Sequence, residues 1–501
     1  MMALSVGCAF ATTSDIVWKN DLKDKFLNNE AIILEINIRS FNSKDIDGNG
    51  FINEKIGETK GNFINAIDRL DEIKSLGINT IHILPITQTG KFKAFGTAGS
   101  LYSIAKFDKI SEDLYDKNSN LTLEEQAKLF ITEAHKRDIR VIIDVPACAS
   151  YDLYLERPDL FVKTTTEDAV IPADWNDVRL LDSGTEDSIN PTVLTLYSDF
   201  VKYIMKLGAD GIRVDVAHSK PANFWKLLID YTHEKDSQFL WLAESSDSWH
   251  EAVSPSAVFT NYDALLNAGF DGYYGSFFNL KNWKTSNELN KQFTFTFNDL
   301  KKFKDKKAVI GSFTTHDEVS PILLKGEKLS EMMIWLNATL PVNSYFVDGF
   351  QTGDDYYYKD GNKLAEVSNT DDDMYFIHNG QIDIFNYSRK PGGKNTNLKD
   401  NFLLGNDVKK GLIPVLNSGN YTPLKTNNTS VFAYSFSTSN RKVITIGNLD
   451  FTEPVKAVVK VSGLNKKQQI LPLKILTMPK VHKNKLSLNL DAGEIVVLVI
   501  K

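Results

Sequence analysis

Short apolar runs recur along the chain, and the stretches between them carry apolar residues at helical spacing. Ala31–Ile38, Asn79–Pro85, Val141–Pro146, Gly211–Val216, Leu240–Ala243, Ala308–Phe313 and Ser344–Val347 read as strands. Phe63–Leu76, Leu123–Arg137, Leu194–Leu207, Phe224–Thr232 and Leu329–Thr339 read as helices. One further strand is faint and is placed near Ala268–Tyr273. Such alternation predicts a parallel sheet with crossover helices. The length from Ala31 to about Gly419 accommodates a closed eight-unit barrel, which needs about 250 residues. An open doubly wound sheet would also gather ligands at the carboxyl ends of its strands.

The alternation breaks between Pro146 and Ile189. That stretch is aromatic and polar (Tyr151, Tyr154, Phe161, Trp175), shows no clear helix, and is too long for an ordinary connection. An inserted subdomain walling one side of a cleft is the economical reading. Beyond about Asn420 the texture becomes short alternating segments, Ser430–Phe436, Lys442–Gly447, Lys456–Val461 and Leu486–Ile500, which predict an all-β terminal domain.

A net charge of −7 leaves no basic excess to neutralise phosphates, which argues against a nucleic-acid partner. Two cysteines, Cys8 and Cys148, exclude a disulfide framework and a cysteine zinc site. No run reaches the roughly 20 apolar residues of a membrane span. The apolar start, ending in Ala9-Phe10-Ala11, has the look of the end of a secretory signal without its positive leading region. Export and a cytoplasmic location both stay open, as does the oligomeric state.

Three carboxylates stand just past strand-like runs: Asp215 in Gly-Ile-Arg-Val-Asp, Glu244 in Trp-Leu-Ala-Glu and Asp317 in Thr-Thr-His-Asp. Asp144 ends a fourth run. Glycoside hydrolysis needs two carboxyl groups of different character flanking one bond. The segments Ile142–Pro146, Gly211–His218, Leu242–Glu244 and Phe313–Asp317 resemble, in order and spacing, the four signature regions of the α-amylase superfamily, glycoside hydrolase family 13. Glu35–Phe41, Leu70–Pro85 and Phe346–Gly353 extend the resemblance over nearly the whole chain from Ile32.

The resemblance implies a (β/α)8 TIM barrel with an inserted subdomain after strand 3 and a C-terminal β-sandwich. Residues 25–145 and 190–419 would form the barrel, 146–189 the insertion and 420–501 the sandwich, with 1–24 an N-terminal segment. It implies a retaining α-glucan-active hydrolase acting on α-1,4 or α-1,6 glucosides of an oligo- or polysaccharide, with no organic cofactor. Asp215 would be the nucleophile, Glu244 the general acid and later base, and Asp317 the third carboxylate that binds sugar hydroxyls. Arg213 is expected to keep Asp215 ionised, since a nearby cation lowers an acid's pKa. Burial and nearby negative charge are expected to keep Glu244 protonated. His316 would donate to a substrate hydroxyl, Tyr102 would stack under the sugar, Asp144 would support the site, and His218 would lie toward the leaving group.

Two features bear on metal. The third-strand motif of the family usually ends in an Asn-His pair, the Asn binding calcium; here those positions are Cys148 and Ala149. Asp45-Ile-Asp-Gly-Asn-Gly-Phe-Ile-Asn53 places oxygen ligands at alternate positions, as a Ca2+ loop requires. It resembles the small metal loop after the first strand in one branch of the family, with Asp45, Asp47, Asn49, Asn53 and the Phe51 carbonyl as ligands. Transglycosylation on the same carboxylates, and a non-catalytic glycan-binding homologue, are the alternatives to hydrolysis.

Overall fold

The computed structural model describes residues 18–44, 46, 53–93, 100–173, 175–354, 396–464, 468–474 and 478–501. Eight strands run parallel: β1 (Ile32–Ile36), β2 (Thr80–Ile83), β3 (Arg140–Val145), β4 (Gly211–Val214), β5 (Leu240–Ala243), β6 (Gly272–Tyr273), β7 (Ala308–Val309) and β8 (Ser344–Val347). Their order is β7-β6-β5-β4-β3-β2-β1-β8. The two edges meet: Asn343 N–H donates to the Val309 carbonyl at 2.9 Å and Gly311 N–H to the Asn343 carbonyl at 2.7 Å. The sheet therefore closes as a (β/α)8 barrel, and the open-sheet alternative falls.

The crossover helices start and stop where their sequences direct. Leu123–Lys136 opens on a capping box between Thr122 and Glu125. Pro191–Leu207 begins with Pro at its first position after the Asn190 cap and ends at Gly208, whose φ of 103° only glycine adopts without strain. The sixth strand is shorter than the Ala268–Tyr273 run, because Tyr262–Ala268 is a helix and only Gly272–Tyr273 pair with β5 and β7. Gly272 is required by packing, since a β-carbon there would meet the Phe26 ring and the Ala308 carbonyl.

Side chains alternate across each strand. Ile32, Leu34 and Ile36 face the helices, whereas Ile33 joins Ile142, Leu240, Leu242, Ala308 and Ile310 inside the barrel. Leu22 and Phe26 of helix Leu22–Leu27 plug the amino end of this interior, both fully buried. Residues 18–24, grouped with the N-terminal segment on sequence grounds, thus pack against the barrel: Trp18 Nε1–H also donates to Asp210 at 2.8 Å.

In the insertion, Cys148–Ser150 pairs antiparallel with Val178–Leu180. A short helix, Tyr151–Glu156, corrects the reading that this stretch holds none; the Ser150 hydroxyl caps it. Cys148, Val170, Val178 and Leu180 form a small apolar cluster with Val253 and Ala257 from the loop after β5. A five-stranded and a three-stranded antiparallel sheet enclose a separate core at the carboxyl end of the chain, giving the sandwich. No described helix is long and apolar enough to cross a membrane.

Candidate active site

The inward positions nearest the carboxyl ends of the strands are polar and buried. Arg213 on β4 is their hub. Its Nη1 lies 2.8 Å from Asp144 Oδ2 and 3.0 Å from Asp215 Oδ1, and its Nη2 lies 2.9 Å from Glu244 Oε1. Its Nε–H donates to the Tyr274 hydroxyl at 3.1 Å. The guanidinium is fully buried, while the Asp215 and Glu244 side chains keep 14% and 10% exposure, enough to face a ligand. Two carboxylates bound to adjacent nitrogens of one rigid fork are held close together, as a pair acting on one anomeric carbon must be.

Glu244 has a second anchor. Val216 N–H donates to its Oε2 at 2.7 Å. Val216 sits in the left-handed region at φ 46°, an uncommon conformation for a β-branched residue, which costs of order 1–3 kcal/mol. That turn aims the amide at Glu244 directly after Asp215.

Asp317 is within electrostatic reach of Asp215 and Glu244, and its side chain is 48% exposed. His316 lies beside it, with Nε2 at 3.5 Å from Asp317 Oδ1. Tyr102 bridges the two sides: its hydroxyl is 3.0 Å from Asp144 Oδ2 and 2.9 Å from His316 Nε2, and its ring stacks on His316. His218 is buried against Trp249 and Phe259 and interacts electrostatically with Glu244. Burial pushes its pKa down. The structure therefore gathers Asp144, Arg213, Asp215, His218, Glu244, His316, Asp317 and Tyr102 in one place.

The charge balance departs from the expectation for Asp215. Burial, and then the Glu244 carboxylate, push its pKa well above the usual range, and Arg213 only opposes them. The reason is that one guanidinium serves three carboxylates. Burial also works against ionised Asp144, but Arg213 and His82 outweigh it and hold that group low.

Four residues of this layer were not read as site residues: Glu35 on β1, His82 on β2, Tyr274 after β6 and Tyr345 on β8. Tyr345 O–H donates to Glu35 Oε2 at 2.6 Å, and His316 Nδ1 lies 2.5 Å from Glu35 Oε1. Their signal was available as a polar residue breaking an apolar strand at its inward position.

The joint between barrel and insertion does not suit calcium. Cys148 offers a buried thiol, pushed up to about 12 by burial. Lys220, fully buried and with no hydrogen-bond partner on Nζ, interacts electrostatically with it and rests over the Tyr197 and Phe224 rings. A thiol and a buried ammonium are poor company for a cation that wants six to eight oxygens. Of the proposed loop ligands, Asp45, Asp47, Asn49 and Phe51 lie outside the described residues. Asn53 is described, and its side chain caps the short helix Glu54–Ile56.

No protein-family model matches the chain. It is 22% identical over 430 residues to the α-1,4-glucan:maltose-1-phosphate maltosyltransferase of Picrophilus torridus, covering 82% of this chain and 62% of that protein. It is 29% identical over 211 residues to α-amylase 2 of Dictyoglomus thermophilum, covering 40% of this chain and 34% of that one. The chain thus spans less than two thirds of the length of these curated relatives. Among solved structures, an α-amylase from Lactobacillus plantarum superposes with a TM-score of 0.68 at 18% identity, covering 95% of this chain and 99% of that chain.

Proposed function

The relatives and structural neighbours of this chain are α-amylase-family enzymes, and on that premise we propose that it is a retaining α-glucan-active hydrolase. Its substrate is an oligo- or polysaccharide with α-1,4-linked glucose, α-1,6 links being the second candidate. The observation that carries this reading is the single Arg213 guanidinium joining Asp215 and Glu244.

In the first displacement an Asp215 oxygen bonds to the anomeric carbon while the glycosidic bond breaks. Glu244 gives its proton to the departing oxygen. In the second, Glu244 takes a proton from water, whose oxygen displaces Asp215 from the same carbon. The Asp215 and Glu244 carboxyls repel each other as anions, which favours one proton on the pair; the first step uses it from Glu244, with Asp215 ionised. Glu244, anchored by Val216 N–H and Arg213, keeps its position as it changes from acid to base.

Transfer to a sugar acceptor is the second reading. It is favoured by the maltosyltransferase name of the Picrophilus relative and by His218, which interacts electrostatically with Glu244 and packs on Trp249 and Phe259. Digestion of maltoheptaose, with products resolved by size and by anomeric configuration, tests both. Shorter products released as the α-anomer support hydrolysis with retention, and longer oligomers support transfer. β-Anomers, or no turnover of any α-glucan, would remove the reading.

A further inference from the structure

The hydrogen bonds around His316 run in one direction only. Arg213 places two contacts on Asp144, at 3.0 and 2.8 Å, and keeps it ionised. An ionised carboxylate only accepts, so the Tyr102 hydroxyl at 3.0 Å must give its single proton to Asp144. The same hydroxyl oxygen lies 2.9 Å from His316 Nε2. With its proton already committed, it can only accept there, so Nε2 carries a hydrogen. On the other side of the ring, Glu35 is buried and receives the Tyr345 proton on Oε2. Its remaining oxygen, Oε1, lies 2.5 Å from His316 Nδ1, and against the cost of burial the pairing with His316 holds the Glu35 carboxyl below its usual value, so Nδ1 faces an ionised oxygen. With Nε2–H given to Tyr102 and Nδ1 set against an ionised carboxylate, the ring is in place to carry a hydrogen on both nitrogens, as the imidazolium does.

We propose that Glu35 is a positioning residue: from β1 it fixes the ring of His316 and keeps it doubly protonated, so that the Nε2 edge, held on the Tyr102 hydroxyl and beside Asp317, stays a donor. The nucleophile and acid do not touch Glu35; it acts through His316. A neutral imidazole donating to Glu35 would turn a lone pair toward the Tyr102 hydroxyl, whose proton is already on Asp144, and lose that bond.

The groups facing His316 among the described residues are Glu35, Asp317, Tyr102 and Arg213. Burial opposes its charge and so does Arg213, but Asp317 and Glu35 outweigh them and raise it to about 10. Burial likewise works against ionised Glu35, yet His316 holds that carboxyl below its usual value. The proposal rests on the glucan reading only for what the donor would bind.

The test is a titration of the whole chain labelled with 15N-histidine, with the His316 signal assigned by its loss in His316→Gln. The expected result is an imidazolium that persists past about pH 9, far above the ordinary value of about 6.5. Titration near the ordinary value in the wild type overturns the proposal and needs no folded variant. In Glu35→Gln the titration should fall by roughly one to three units, the span that an adjacent opposite charge commands. An unchanged titration overturns the role of Glu35. Glu35→Asp should restore a high value in part. If α-glucan is turned over, Glu35→Gln should also lose activity on the alkaline side where the wild type does not. A wild type without α-glucan activity would remove the function proposed above and leave the titration standing.

Discussion

The two ends of the barrel interior are built from the same strands, two residues apart. β1 places Ile33 at the floor and Glu35 above it; β3 places Ile142 and then Asp144; past β5, Leu242 is followed by Glu244. The floor is mainly apolar, where Ile33, Ile142, Leu240, Leu242, Ala308 and Ile310 meet, and is sealed by Leu22 and Phe26. The upper layer is a continuous set of ion pairs and hydrogen bonds, from Glu35 through His316, Tyr102 and Asp144 to Arg213. One pleat separates packing from chemistry. The lesson is that residues at the carboxyl end are placed by a floor that takes no part in the reaction, so the two layers should fail differently.

The largest expected effect lies in the upper layer. Asp215→Asn should lower kcat on maltoheptaose by about 10⁴-fold or more. Its thermal midpoint should hold or rise, because a buried carboxylate that faces Glu244 is removed. A marked loss of stability would show that the two layers are not separable. Phe26→Ala is the reverse case. Removing a fully buried ring from the floor should cost about 3–5 kcal/mol in urea unfolding, with turnover per folded molecule unchanged. Loss of turnover without loss of stability would break the comparison.

A smaller effect sharpens it, because charge also occurs at the amino end of the barrel. Lys409 is fully buried and donates to the carbonyls of Leu340 and Val342. Burial pushes its pKa down to about 7, against an ordinary value of about 10.4 in the unfolded chain. Between those values the unfolded chain binds the proton and the folded chain does not. Stability from this site therefore rises with pH through that window, and its cost is complete only below about pH 7. Wild-type minus Lys409→Met unfolding free energy should increase from pH 7 to pH 9, by at most about 1.4 kcal/mol per unit. A difference that does not change with pH would show that Lys409 titrates normally.

Much of the site was legible because its carboxylates end strand-like runs, where a barrel gathers its chemistry. Asp215, Glu244, Asp317 and Asp144 were read that way. Glu35, His82 and Tyr345 were not, because each sits within a run that reads as an ordinary strand. Only the two-residue phase shows that they share the inward face with Ile33, Thr80 and Asn343. The sixth strand was placed in the right stretch and drawn too long, since Gly272–Tyr273 carries too few residues for a pattern to bound it. The Tyr151–Glu156 helix escaped because its Ser150 cap sets it more than any periodicity does. The upward shift of Asp215 escaped because Arg213 was read as its partner alone, whereas the fold makes that cation serve Asp144 and Glu244 as well.

The central claim is that Asp215 bonds to the anomeric carbon. A 5-fluoro-α-glucosyl fluoride slows release of the covalent intermediate, and mass spectrometry of a peptic digest locates the adduct. The account predicts one fluoroglucosyl group on the peptide that contains Asp215, and none in Asp215→Asn. An adduct on another residue, or steady hydrolysis of the probe by the Asp215→Asn variant, would contradict it.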